Sequence, residues 1–341
     1  MYALNIPSTK ELLQHVAINM SEPVMLWGQP GAGKSEGVMQ LTEDNNALMC
    51  DVRLSQYDSV DLRGTPDIAN SLTCWYPPAT LPFRNNPNFP DDKLIVLFLD
   101  ELTSATQSVA AVAYQLINDR RVGEHVLKDN VRIIAAGNRD GDRGVTNRMP
   151  TPLANRFTHA EVVVDAEPWI EWAQGKGVAP IFCAFLKFRS MLISTFDPSK
   201  PDKAFATPRT WYKAAKYYAS NMPEGCKQAA IAGAIGTGVA AEFMGYVDIW
   251  QNMPDLDMLI ASPDTAMVPE NDVGMSYAIA VGLSGKMRAS NANKVHTYLK
   301  RMAPEYTMCA WSLAIKRDPD LTKTQAFMDM SAENLDLMMG V

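Results

Sequence analysis

Apolar and polar positions follow two different periods along the chain, and the change of period divides it. Short unbroken apolar runs come first: Pro23 to Trp27, Leu48 to Leu54, Leu94 to Leu99, Val131 to Ala136 and Ala160 to Val164. Runs of about four to eight apolar residues bounded by turn residues read as strands buried on both faces. Helical spacing lies between them, as from Glu36 to Thr42. Five buried strands alternating with helices predict an α/β fold: a parallel five-stranded sheet with helices on both faces. Ser8-Thr9-Lys10-Glu11 has the form of a capping box and predicts a helix running to about Asn19. From Glu167 onward the strand signals stop, and helical spacing such as Trp211, Ala215 and Tyr218 on one face takes over. The boundary falls near Asp165, with an α/β core over residues 1–165 and an all-helical region over 166–341.

Composition narrows the class. A chain of 341 residues has room for two domains at roughly 100 to 200 residues each. Hydrophobic residues make up 47% and charged residues 20%, which excludes a disordered, collagenous or coiled-coil chain. Lys and Arg number 31 against 38 Asp and Glu, and the net charge of −7 has the wrong sign for a protein wrapped around nucleic acid. A local basic groove stays open. Cys50, Cys74, Cys183, Cys226 and Cys309 are odd in number and widely spaced, so neither a disulfide framework nor a zinc site is expected. The start, MYALNIPSTKELLQ, lacks the pattern of a signal peptide. Gln228 to Val247 is mostly Ala and Gly, contains Glu242 and has no Leu, so it reads as a packed helix and not a membrane span. A cytoplasmic protein is expected. Of the 20 methionines 13 lie at or after Met222, either as core filling or as an adaptable binding face.

The chemistry sits in the first half. Gly28-Gln29-Pro30-Gly31-Ala32-Gly33-Lys34-Ser35 fits GxxxxGK[ST], and it stands between a predicted strand and a predicted helix. Glycines let the backbone bend so that N–H groups point at phosphate oxygens, while the following helix adds its positive end. Lys34 is expected to reach the β and γ phosphates of ATP and Ser35 to ligate Mg²⁺. The run Leu94 to Leu99 ends in Asp100-Glu101. Alone, two acids at a strand end read as the solvated start of a loop. Paired with a phosphate loop, they read as a ligand in the Mg²⁺ shell (Asp100) and a base that polarises the attacking water (Glu101).

Those motifs are followed in order by Ile133-Ile134-Ala135-Ala136-Gly137-Asn138, Leu153-Ala154-Asn155-Arg156-Phe157 and Ala206-Thr207-Pro208-Arg209. In content and order the set resembles the AAA+ ATPases, and within them the MoxR group, over roughly Pro23 to Tyr218. The resemblance implies a P-loop ATPase core followed by a helical lid, working as an oligomeric ring, most simply a hexamer. It implies that Asn138 is the first sensor orienting the attacking water, that Arg156 is the arginine finger serving a neighbouring subunit, and that Arg209 is the second sensor. Taken singly, these three would read as a strand cap, a surface ion pair and an ordinary helix start. The stretch Asn138-Arg139-Asp140-Gly141-Asp142-Arg143 and the nearby Arg148 leave Arg143 and Arg148 as alternative fingers.

MoxR proteins carry extra hairpins, and two segments match their places: Asp58 through Trp75-Tyr76 to Phe83, and Arg120 to Leu127. Trp75 and Tyr76 either grip a polypeptide or pack onto their own loop. A metal-binding adhesion-type protein, a frequent companion of the group, would act in trans as partner. The expected function is therefore an ATP-hydrolysing remodelling ring acting on a protein client. A DNA-dependent motor or loader on the same core is the alternative. A P-loop kinase is disfavoured because its base would face a substrate hydroxyl instead of water, and a scaffold without turnover is disfavoured by Glu101.

Overall fold

A computed structural model describes residues 2–69, 72–139, 141–142 and 149–334. The chain divides into two compact units, Met1–Val164 with Asp197–Pro201, and Asp165–Phe196 with Asp202–Val341.

The first unit opens with strand β1 (Ala3–Leu4), helix α1 (Ile6–Leu13), a π-helical stretch Gln14–Asn19, strand β2 (Val24–Trp27), helix α2 (Lys34–Asp44) and strand β3 (Leu48–Arg53). After α3 (Ser59–Arg63), β4 (Thr65–Ala69) and β5 (Leu72–Tyr76) pair antiparallel, and β6 (Ile95–Asp100) returns to the sheet. Helix α4 (Gln107–Asp119) leads into a second short hairpin, β7 (Arg121–Val122) with β8 (His125–Val126). The unit closes with β9 (Val131–Gly137), α5 (Thr151–Ala154) and β10 (Thr158–Val162).

Parallel pairing gives a six-stranded sheet in the order β1-β10-β2-β9-β6-β3. It has one strand more than the five expected, because the two residues of β1 add to the edge beside β10. Two residues are too few to show any periodicity. The last strand also begins at Thr158, two residues before the apolar run that announced it, because Thr158 and His159 keep the ladder to Val24 and Met25.

The unbroken apolar runs reflect burial on both sides. Val24, Leu26, Val96, Phe98, Ile134, Ala136, Ala160 and Val162 pack on one face with Leu13, Ala17, Val38 and Leu41. Met25, Leu97, Leu99, Ile133 and Ala135 pack on the other with Val109, Ala113 and Leu116 of α4 and with Leu153 and Phe157. Alternate residues of one strand thus serve opposite cores.

The capping box expected at Ser8-Glu11 does not form. Asn5 caps α1 by accepting the Ser8 N–H at 3.2 Å, and Pro7 fills the first turn, where its missing N–H costs nothing. The helix therefore starts at Ile6, two residues before Ser8.

Both regions proposed for extra hairpins carry one. Gly64 makes the first possible: its φ is 88°, and a Cβ there would lie 1.8 Å from the carbonyl oxygen of Tyr76. Ile68 is 77% exposed and Tyr76 57%, while Trp75 is 37% exposed, so the aromatic pair does not bury itself in its own loop.

The second unit is helical throughout the described residues: α6 (Ala166–Gly175), α7 (Pro180–Phe188), α8 (Pro208–Tyr218), α9 (Glu224–Ile235), α10 (Thr237–Gln251), α11 (Leu256–Ala261), α12 (Val273–Lys286), α13 (Ala292–Leu299), α14 (Pro304–Arg317) and α15 (Gln325–Glu333). Phe182, Phe185, Trp211, Phe243 and Tyr246 form one buried aromatic group, with Phe182 and Phe243 centroids 4.6 Å apart. The Ala/Gly-rich stretch is two helices broken at Gly236, whose φ is 90°. No helix among the described residues is long and apolar enough to cross a membrane. The methionines divide between roles: Met287, Met302 and Met330 are core, whereas Met258, Met267 and Met328 are exposed. Burial pushes the Cys50 and Cys183 thiols up to about 12, which leaves them inert.

Gly64→Ala should loosen the β4–β5 hairpin, because alanine meets both the left-handed backbone and the Tyr76 carbonyl. Tryptic cleavage after Arg63 is expected to speed up by about tenfold or more, and cleavage at the wild-type rate would refute this account of the turn.

Candidate functional site

β2 ends at Trp27, and six residues, Gly28-Gln29-Pro30-Gly31-Ala32-Gly33, connect it to α2. The Gly28 N–H donates to the Gly137 carbonyl at 3.3 Å, and a Cβ on Gly28 would lie 2.7 Å from the Val162 carbonyl oxygen. The loop thus leaves the sheet wedged between the ends of β9 and β10. Gly31 and Gly33 have φ of 77° and 97°, a region open mainly to glycine. Ala32 is buried, and its N–H donates to the Gln29 carbonyl at 3.3 Å.

Lys34, the first residue of α2, donates from Nζ to the carbonyls of Gly28 at 2.6 Å and Gln29 at 3.2 Å, so its ammonium curls over the loop. Ser35 Oγ donates to Asp100 Oδ2 at 2.8 Å, tying the start of α2 to the end of β6. Two motifs separated by 65 residues meet in that one bond.

Glu101 is exposed and left-handed, with φ 58° and ψ 32°. A non-glycine residue pays on the order of 1 kcal/mol to stand there, and such residues concentrate at functional sites. The turn takes Glu101 out of the strand direction. Its N–H donates to Asp100 Oδ1 at 2.9 Å, and its carboxylate accepts from Ser55 Oγ, which lies just past β3. Burial raises the pKa of neighbouring Asp51; Arg53 opposes the rise, and the charges of Asp100 and Glu101 add to it. Negative charge is crowded at this edge of the sheet.

Asn138 follows β9, and its N–H donates to Thr103 Oγ1 at 3.2 Å. Gly137 permits that approach, since a Cβ there would lie 2.8 Å from the Thr103 side chain and from Met25 Cε. The next residue, Arg139, donates to Glu161 on β10 at 3.0 Å and to the buried Asp142 at 3.4 Å. Burial alone would lower the Arg139 pKa; the bonds to Glu161 and Asp142 outweigh it and leave it raised.

The structure therefore brings Lys34, Ser35, Asp100, Glu101 and Asn138 to one end of the sheet. Arg156 lies exposed in the turn after α5. Arg209, also exposed, is the second residue of α8 in the helical unit, behind a capping box formed by Thr207 and Thr210. Arg143 and Arg148 lie outside the described residues. Sequence reasoning missed Ser55, Thr103 and Glu161 as partners of the site. Ser55 and Thr103 stand shortly past the ends of β3 and β6 and Glu161 stands inside β10, so their roles follow only from the strand order.

Residues 23–157 match the protein family described as AAA domain, dynein-related subfamily. The match covers less than half of the chain. No curated protein matches the sequence. Among solved structures, NtrX from Brucella abortus in complex with ADP is 13% identical and superimposes with a TM-score of 0.42, covering 98% of this chain and 68% of its own. A point mutant of RuvB from Thermotoga maritima is 15% identical, with a TM-score of 0.40 over 87% of this chain and 88% of its own.

The loop suits a polyphosphate: two left-handed glycines, a lysine ammonium and a helix N-terminus converge there. The hydroxyl of Ser35 and the carboxylate of Asp100, 2.8 Å apart, offer two hard oxygen donors. Among the described residues no three His, Cys, Asp or Glu side chains are grouped to hold a metal by themselves. Mg²⁺ suits a pair of this kind, because it takes one or two protein oxygens and completes its shell with phosphate oxygens and water.

Gly28→Ala should force the loop away from Val162. Binding of a fluorescent ATP analogue, followed by anisotropy, is expected to weaken by about tenfold or more. An unchanged Kd would show that the wedge between β9 and β10 does not shape the loop.

Proposed function

We propose that the chain is a Mg²⁺-dependent ATPase of MoxR-like type that assembles into a ring, most simply a hexamer, and spends hydrolysis on remodelling a protein client. The observation that carries this reading is the Ser35–Asp100 bond at 2.8 Å, which joins the phosphate loop to the acidic strand end beside Glu101.

In this reading the loop of Gly28 to Gly33 and the Lys34 ammonium hold the β and γ phosphates of ATP. Mg²⁺, held by Ser35 and Asp100, would neutralise part of the phosphate charge. Glu101 takes the proton of the attacking water, and Ser55 fixes the direction of its carboxylate until then. Asn138 orients that water, with its backbone held to Thr103. Arg156 completes the site of a neighbouring subunit, and Arg209 serves as the second sensor.

A protein client suits the surface better than DNA does. The net charge of −7 repels a polyanion, whereas the β4–β5 hairpin exposes Ile68 and Trp75 on one face and Tyr76 on the other. An adhesion-type metal-binding protein acting in trans is a candidate partner.

Glu101→Gln should keep ATP binding within about twofold of wild type yet lower turnover by about 100-fold or more, whereas Lys34→Ala should lose binding. Phosphate release with Mg²⁺ present decides this, and a Glu101→Gln protein at wild-type rate would remove Glu101 as the base. The same assay with single- or double-stranded DNA at physiological salt should show no stimulation; several-fold stimulation would favour a DNA motor.

Arg156→Ala should bind ATP normally and hydrolyse it about tenfold or more slowly. Mixing it with Lys34→Ala protein should restore part of the rate, because an intact finger then stands beside an intact loop. A mixture no faster than its two components would argue against a finger acting between subunits.

A further inference from the structure

A finger is useful only if its turn is held in place, and one side chain spans the distance from the phosphate loop to that turn. Trp27 is the last residue of β2 and directly precedes Gly28. Its indole Nε1–H donates to His159 Nδ1 at 2.9 Å, across 132 residues of chain. The two rings also stack, with centroids 5.9 Å apart and planes inclined by 27°. On the other side of the imidazole, Nε2 lies 2.7 Å from the carbonyl oxygen of Ala154. An indole N–H can only donate and a carbonyl can only accept. His159 is therefore neutral in this arrangement, with its proton on Nε2, and both nitrogens are engaged.

Ala154 ends α5, and its carbonyl also accepts the Phe157 N–H at 3.3 Å, closing a four-residue turn that contains Arg156. Phe157 is buried, and its ring stands 6.1 Å from that of His159. The turn is thus held by one apolar anchor and one directional one. Both refer the turn to β2, since Phe157 packs with Met25 and the next residue, Thr158, donates its N–H to the Pro23 carbonyl at 3.0 Å; the imidazole bond adds a directional tie to Trp27, the residue beside the loop.

We infer that His159 is a positioning residue for Arg156, anchoring the turn that carries the finger to the strand that ends in the phosphate loop. The inference rests on the reading of Arg156 as a finger. A histidine that merely filled the core would need only its ring; the role assigned here needs an acceptor toward Trp27 and a donor toward Ala154.

The test is a double-mutant cycle on ATP hydrolysis by the full chain. His159→Phe keeps a ring and removes both hydrogen bonds. It should lower kcat by about tenfold while leaving KM for ATP within about twofold, since the loop itself is intact. The double variant Arg156→Ala/His159→Phe should turn over at the rate of Arg156→Ala alone, because the group being positioned is already gone. If His159→Phe slows the Arg156→Ala background by the same factor as it slows wild type, His159 acts elsewhere and the inference is overturned. A wild-type kcat in folded His159→Phe protein would also overturn it. If Arg156→Ala itself hydrolyses normally, the finger reading falls, and this inference falls with it. Should thermal melting show that His159→Phe does not fold, Trp27→Phe, which removes the indole N–H and keeps a smaller aromatic ring, takes its place in the same cycle, with the same outcomes deciding.

Discussion

Parallel register aligns the carboxyl ends of β10, β2, β9 and β6, and every feature of the site depends on that alignment. Trp27 stands opposite Glu161 on one side and Gly137 on the other, and Leu99 stands opposite Ala135. The residues that follow each strand, Gly28, Asn138 and Glu101, are thereby delivered to one edge without any long-range search. Parallel sheets place ligands at that edge because the loops there diverge and leave a crevice. Glycine at 28 and at 137 keeps the crevice tight, since a Cβ at either position would strike a neighbouring strand or the Thr103 side chain.

Polar ties across the strand ends are of a different kind from the ladder beneath them. Ser35 to Asp100, Ser55 to Glu101, Asn138 to Thr103, Arg139 to Glu161 and Trp27 to His159 each join two segments that are distant in sequence. Each contributes about 0.5 to 1.5 kcal/mol net, a little more where a charge takes part. The ladder and the two apolar faces hold the sheet, and the ties set where the side chains at its edge stand. The helical unit has its own aromatic core around Phe182 and Phe243.

Much of this was readable in advance, and the exceptions share a cause. Continuous apolar runs announced the strands because burial on both faces leaves no polar phase to confuse the pattern. β1 was missed because two residues have no period, and the start of β10 was missed because Thr158 and His159 are polar residues inside a ladder. The cap of α1 was misplaced because Ser8-Thr9-Lys10-Glu11 has the form of a capping box, whereas Asn5, with Pro7 in the first turn, supplies the cap three residues earlier.

From the sequence alone came the elements, the phosphate loop, the acidic strand end and the expectation of a helical second region, because each is written in contiguous residues whose spacing has one physical meaning. Tertiary structure decided which strand neighbours which, and with it the partners of every charged group at the site. Ser55 became a partner of Glu101 only because β3 pairs with β6, and His159 came to bridge Trp27 and Ala154 only because β10 lies beside β2. Hydrogen bonds are short and directional, so they depend on distances between segments that no local pattern encodes.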